Sequence, residues 1–146
     1  EMKTNDVTDR YKPGFAGIAL EFGRPSVGAH VRDIQYVARR LAALGVEFEK
    51  RNPINSIIDP ATGDMPEDVL DEFIISGILE LIVPLEKLPE VLETVLDAAN
   101  HIDTVFSLDL IGRVDEDDRI PALELAESLG VFVRPNGKTN VGLGRL

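Results

Sequence analysis

The chain has 146 residues, 44% hydrophobic and 28% charged, with a formal net charge of −11 at pH 7. That composition suits one acidic globular domain and argues against disorder over most of its length. The absence of cysteine removes disulfides, thiolate metal sites and cysteine nucleophiles, and the excess of acid argues against nucleic acid, whose phosphates are met by Lys and Arg.

No run of 18 apolar residues is present, and the segment from Glu1 to Lys12 lacks the apolar stretch of a signal peptide. A cytoplasmic location is the expectation, with no membrane contact and no nucleic-acid partner. The charge is uneven. Residues 59–97 carry eleven acids and one base, Lys87, whereas after Glu127 every charged side chain is basic: Arg134, Lys138 and Arg145.

Residues 1–13 are polar, contain Pro13 and read as a flexible arm. From Phe15 to Phe22 the pattern alternates. Ile18, Leu20 and Phe22 make a buried face, and Gly17 and Ala19 an unusually small one. Gly23-Arg24-Pro25-Ser26 breaks this strand, and Ser26 is placed to cap a helix over 27–44. Val27, Val31, Ile34, Ala38 and Leu41 form its apolar stripe, and Gly45 stops it. Val46 and Phe48 alternate with Glu47 and Glu49 as a second strand over 46–50.

Residues 52–66 hold three prolines and form a long loop. Pro66 is placed to open a short acidic helix with Val69, Leu70, Phe73 and Ile74 on its apolar side, ended by Gly77. A mostly apolar strand follows over 78–84. A helix over 88–100 has Leu88, Val91, Leu92, Val95 and Leu96 as its stripe, and a strand covers 104–112. A last helix bears Ile120, Leu123, Ala126 and Leu129, preceded by the acids of 115–118, which suit a helix N-terminus. Val131 to Val133 read as a fifth short strand.

The fold class expected is therefore α+β, a ferredoxin-like βαββαβ sandwich with a helical insertion between strands 2 and 3 and a C-terminal αβ extension. The domain spans 14–134, and 135–146 form a Gly-rich basic tail. Both long helices are expected on one face of the sheet. The other face, with Gly17, Ala19, Ser107 and Asp109, is a flat surface suited to a second subunit.

Gly23-Arg24-Pro25-Ser26-Val27-Gly28, continued by Leu41-Ala42-Ala43-Leu44-Gly45-Val46, resembles the opening of an ACT domain. The resemblance extends over about residues 15–112. It implies a ferredoxin-like fold and an amino-acid site at a subunit interface. Two features depart from that pattern: the long link between the second and third strands, and the extra elements after the core.

The residues that the resemblance and the local chemistry place at a ligand site are Gly23, Arg24, Pro25, Ser26, Val27, Gly28 and His30. A carboxylate there would meet free amides at the helix start and the fork of Arg24. Against this stands a plainer account, in which Pro25 and Ser26 only begin a helix.

Other groupings have plainer explanations. His30 and His101 lack a second His one turn away, so no metal site is expected. Glu67, Asp68, Asp71 and Glu72 read as a solvated acidic face. Asp59-Pro-Ala-Thr-Gly-Asp64 does not match a calcium loop, because Ala61 and Gly63 fill ligand positions. Asn136-Gly137-Lys138-Thr139 lacks the glycine spacing and the following helix of a P-loop, which leaves Arg134, Gly137 and Lys138 as a weak anion site. Ser26 lies four residues before His30, a pair better explained by capping than by nucleophilic catalysis.

No catalytic residue and no cofactor is expected. Three readings follow. The first is a non-catalytic small-ligand-binding or regulatory module that works as a homo-oligomer, with a small carboxylate or amino acid as ligand. The second is an accessory protein that binds a larger enzyme or assembly through its sheet face and basic tail. The third is an enzyme using the turn around Arg24 and His30.

Overall fold

The structure is a computed structural model that describes residues 10–24 and 26–134. Among these residues it is a mixed α+β fold with a four-stranded antiparallel sheet and three α-helices. Strand β1 is Phe15–Phe22, β2 Ala29–His30, and helix α1 Val31–Ala43. Strands β3 (Glu47–Phe48), β4 (Phe73–Ile74) and β5 (Gly77–Pro84) precede helix α2 (Leu88–Ala98). Strand β6 (Phe106–Ile111) and helix α3 (Pro121–Ser128) follow.

The sheet order is β3-β5-β1-β6, and β2 with β4 makes a separate two-stranded ladder. The register puts Ile18 opposite Leu81 and Leu110, and Leu20 opposite Leu79 and Leu108. These side chains share one face, on which α1 and α2 pack against one another. Ile18, Leu20, Ile34, Leu41, Leu79, Leu81 and Leu92 are fully enclosed there. The apolar stripes of both helices thus close one core over one side of the sheet, as the patterning requires. Helix α3 adds Ala122 and Ala126 to that core and packs against α2 and β6.

Several local expectations are corrected. Helix α1 starts at Val31, four residues later than expected, because Gly28 takes φ +76 and Ser26 φ +57, outside the helical region. Ser26 is therefore not its cap; His30 holds that position, with no side-chain hydrogen bond.

The expected acidic helix after Pro66 is a single 3-10 turn, Glu67–Val69. Phe73 and Ile74 pair instead with His30 and Ala29, a setting that suits aromatic and β-branched side chains better than a short helix. The segment between β3 and β5 is thus built of 3-10 turns and β4. Gly77 begins β5 rather than ending a helix.

Leu96 is 46% exposed, since it is turned about 100° around α2 from the buried Val95. Val131 to Val133 form no strand, and Phe132 is 80% exposed, so the C-terminal extension is a helix without its β partner. The four residues between Gly130 and Pro135 offer little ladder to pair. The acids of 115–118 serve a turn rather than a dipole: Asp115 Oδ1 accepts the amides of Asp117 and Arg119 at 3.0 and 2.8 Å.

The opposite face of the sheet carries Gly17, Ala19 and Glu21 of β1, Ile78, Glu80 and Ile82 of β5, and Ser107, Asp109 and Ile111 of β6. Of the arm read over 1–13, residues 10–13 are described, and Tyr11 lies on this face, 1% exposed. A Cβ on Gly17 would stand 2.4 Å from Tyr11 Cε1. The small face of β1, expected to suit a second subunit, is thus covered by Tyr11 at Gly17.

Candidate functional site

The turn between β1 and β2 leaves the sheet at Gly23, whose amide donates to Val105 O at 2.8 Å. The amides of Val27 and Gly28 both donate to Gly23 O, at 2.9 and 3.0 Å, which folds the turn back on itself. Thr104 Oγ1 donates to Gly28 O at 2.6 Å. At Gly28 only glycine fits: besides its positive φ, a Cβ would stand 2.3 Å from Phe73 Cζ.

Beyond the turn, the first amides of α1 are already engaged. Val31 N donates to Glu72 O and Arg32 N to Leu70 O, each at 3.0 Å. The expected cradle of free helix amides for a carboxylate is therefore filled by the 70–72 segment. Arg32 also forms an ion pair with Asp71, and His30 Nδ1 lies 3.3 Å from Asp71 O. The His30 ring meets Phe73 edge-on at 5.2 Å.

Arg24 remains at the rim. Its Nη1 pairs with Glu21 Oε2 at 3.0 Å and its Nε donates to Ser76 Oγ at 3.3 Å, with half of the side chain open to solvent. Ser107 Oγ lies 3.4 Å from the same Glu21 oxygen. Pro25 lies outside the described residues, as do Gly137 and Lys138 of the weak anion site, whereas Arg134 is exposed.

Around the turn stand four exposed apolar side chains: Val27, Phe73 at 59%, Ile75 at 78% and Val105. The Gly23 amide bond to Val105 O, the Phe73 ring lying against Gly28 and the Ile75 carbonyl beside Gly23 bring these side chains around one turn. Single exposed hydrophobics are ordinary, but a group of them is a common mark of an interaction surface. The sequence pattern missed this group because Phe73 and Ile74 read as the buried side of a helix.

A second polar grouping lies on the face opposite the helices. Arg10 Nε pairs with Glu49 Oε2 at 2.9 Å, and its Nη1 lies 3.9 Å from Glu80 Oε1. Asn52 Nδ2 donates to Glu80 Oε2 at 3.1 Å, and Asn55 Nδ2 to Glu80 O at 2.6 Å. Arg10 also stands over the Tyr11 ring, 5.9 Å from its centroid, and Arg113 Nη1 donates to Tyr11 O at 3.4 Å. Burial raises the Tyr11 phenol above its usual 10.0, while Arg10 opposes that shift. The signal for this grouping was Glu80 itself, an acid within the apolar run Ile78 to Val83.

Among the described residues no group of three or more His, Asp or Glu side chains is arranged to hold a metal ion, and no helix is long and apolar enough to cross a membrane. Comparison with protein-family models, with curated proteins and with solved structures finds no match.

Proposed function

We propose that this chain is a non-catalytic ligand-binding or regulatory module that works as a homo-oligomer. Its ferredoxin-like reading draws support from the strand order β3-β5-β1-β6 and from the placement of α1 and α2 on one face. The observation that carries the functional reading is the exposed apolar group around the Gly23–Gly28 turn, with Arg24 at its rim. Apolar contact between two copies would bury Phe73 and Ile75. Arg24 would then hold a small carboxylate at the edge of that contact. A guanidinium suits a carboxylate because its fork presents two parallel donors. Glu21 occupies one of those donors in the free protein, so ligand binding would exchange one carboxylate for another.

The test is thermal unfolding with small carboxylates and amino acids. A ligand present at about 100 times its Kd adds about 2.7 kcal/mol to stability. Arg24→Ala should weaken that ligand by about 1.5–3 kcal/mol, the range for a hydrogen bond to a charged group, with little change in the stability of the free protein. If no carboxylate or amino acid moves the melting temperature through Arg24, the ligand reading falls. The accessory-protein reading, binding to a larger enzyme or assembly through the sheet face and basic tail, would then replace it.

A further inference from the structure

A depression of about 230 Å³ opens on the sheet face opposite the helices, lined by Arg10, Lys12, Phe15, Glu47 and Ile82. It lies far from none of the polar grouping around Glu80, since Arg10 belongs to both. Phe15 of β1 and Ile82 of β5 supply apolar walls. Arg10 is held in place by Glu49 and Glu80, so its guanidinium is positioned before any ligand arrives.

Lys12 and Glu47 differ from Arg10. Both are exposed, both line the depression, and neither forms an ion pair with a described residue. An ammonium and a carboxylate thus share one apolar depression without neutralising each other. A ligand bearing only an anion would meet Glu47 as a like charge, and one bearing only a cation would meet Lys12 and Arg10. A molecule with both charges satisfies both.

We infer that this depression binds a small zwitterion with an apolar body, its carboxylate on Lys12 beside Arg10, its ammonium on Glu47, and its apolar part against Phe15 and Ile82. The volume is below the roughly 300–1,000 Å³ of pockets for drug-sized ligands, which restricts the occupant to a small molecule. This site is separate from the Arg24 turn, and neither depends on the other.

Isothermal titration calorimetry on the full chain tests it, with L-leucine and L-phenylalanine as probes. N-acetyl-leucine, which lacks the ammonium, and leucinamide, which lacks the carboxylate, serve as controls. The amino acids should bind, and each control should bind at least about tenfold more weakly, the scale of one lost charge-assisted hydrogen bond. Lys12→Met and Glu47→Gln, both at exposed positions, should each weaken leucine about tenfold or more. Lys12→Met should also remove most of the preference for leucine over leucinamide. No binding of either amino acid would overturn the inference, as would equal binding of leucine and both controls. Leucine binding that survives Lys12→Met but is lost in Arg24→Ala would assign the ligand to the turn and overturn it too.

Discussion

Gly17→Ala adds one methyl group to the small face of β1, where the added Cβ would stand 2.4 Å from Tyr11 Cε1, 2.6 Å from Tyr11 Cζ and 2.7 Å from Ile111 Cδ1. Ordinary carbon contacts lie at about 3.5–4.0 Å, so the Tyr11 ring must retreat by about 1 Å or more. Two responses are open to the molecule. The ring stays and the packing strains, at about 1–3 kcal/mol for an overpacked site. Or Tyr11 lifts away and loses its burial, at about 1.5–3 kcal/mol for a large side chain. Either way Gly17→Ala should cost about 1–3 kcal/mol in urea unfolding. The cost should belong to the pair. In a Tyr11→Ala background the same methyl meets only Ile111 Cδ1, the end of a flexible side chain, and the penalty should shrink by about 1 kcal/mol or more, a coupling that a double-mutant cycle reads directly. A Gly17→Ala cost below about 0.5 kcal/mol, the level of an ordinary surface change, would refute the reasoning. An equal cost in both backgrounds would refute it too.

Other expectations follow from the same contacts. Because burial holds the Tyr11 phenol above its usual 10.0, the folded state keeps a proton that the unfolded state loses. That contribution is fully present below pH 10 and is lost as the pH rises through the folded value, so stability should fall above pH 10. Urea titrations across pH 9 to 11 should show a shallower fall in Tyr11→Phe, and an identical slope in both proteins would count against the buried phenol. On α2, Leu92→Ala should cost about 2–5 kcal/mol because Leu92 is fully enclosed, and Leu96→Ala should stay below about 1 kcal/mol. Comparable losses at the two positions in chemical denaturation would mean that the helix is turned differently about its axis.

Periodic apolar patterning made the core legible. The alternation of Ile18, Leu20 and Phe22 and the stripes of α1 and α2 each specify a buried side, and these close on one another. What patterning could not supply was the choice between a short helix and a short strand. Phe73 and Ile74 fit either period over so few residues, and the decision came from distant partners at Ala29 and His30. The start of α1 was misplaced for a related reason. Val27 matches the helical stripe, yet Gly28 is folded into a turn with Gly23 and tied to Thr104 by a hydrogen bond. Tyr11 was hidden by its neighbours: a polar, proline-containing segment reads as an arm, and only the small face at Gly17 and Ala19 signals that something must lie on it. Of the proposed ligand residues, Arg24 keeps an exposed guanidinium at the rim, whereas the amides expected to help it are already donating within the chain.

Sedimentation equilibrium tests the central claim most directly, by weighing the 16.0 kDa chain beside its Ile75→Asp variant. A charge placed at the most exposed member of the apolar group among Val27, Phe73, Ile75 and Val105 opposes burial in a contact but disturbs no core packing. The account predicts a dimer or larger assembly for the unaltered protein, and a monomer of unchanged thermal stability apart from the lost association for Ile75→Asp. A monomer at every concentration up to about millimolar, where even a weak contact worth about 4 kcal/mol is half formed, would contradict it. So would an assembly whose mass is indifferent to Ile75→Asp.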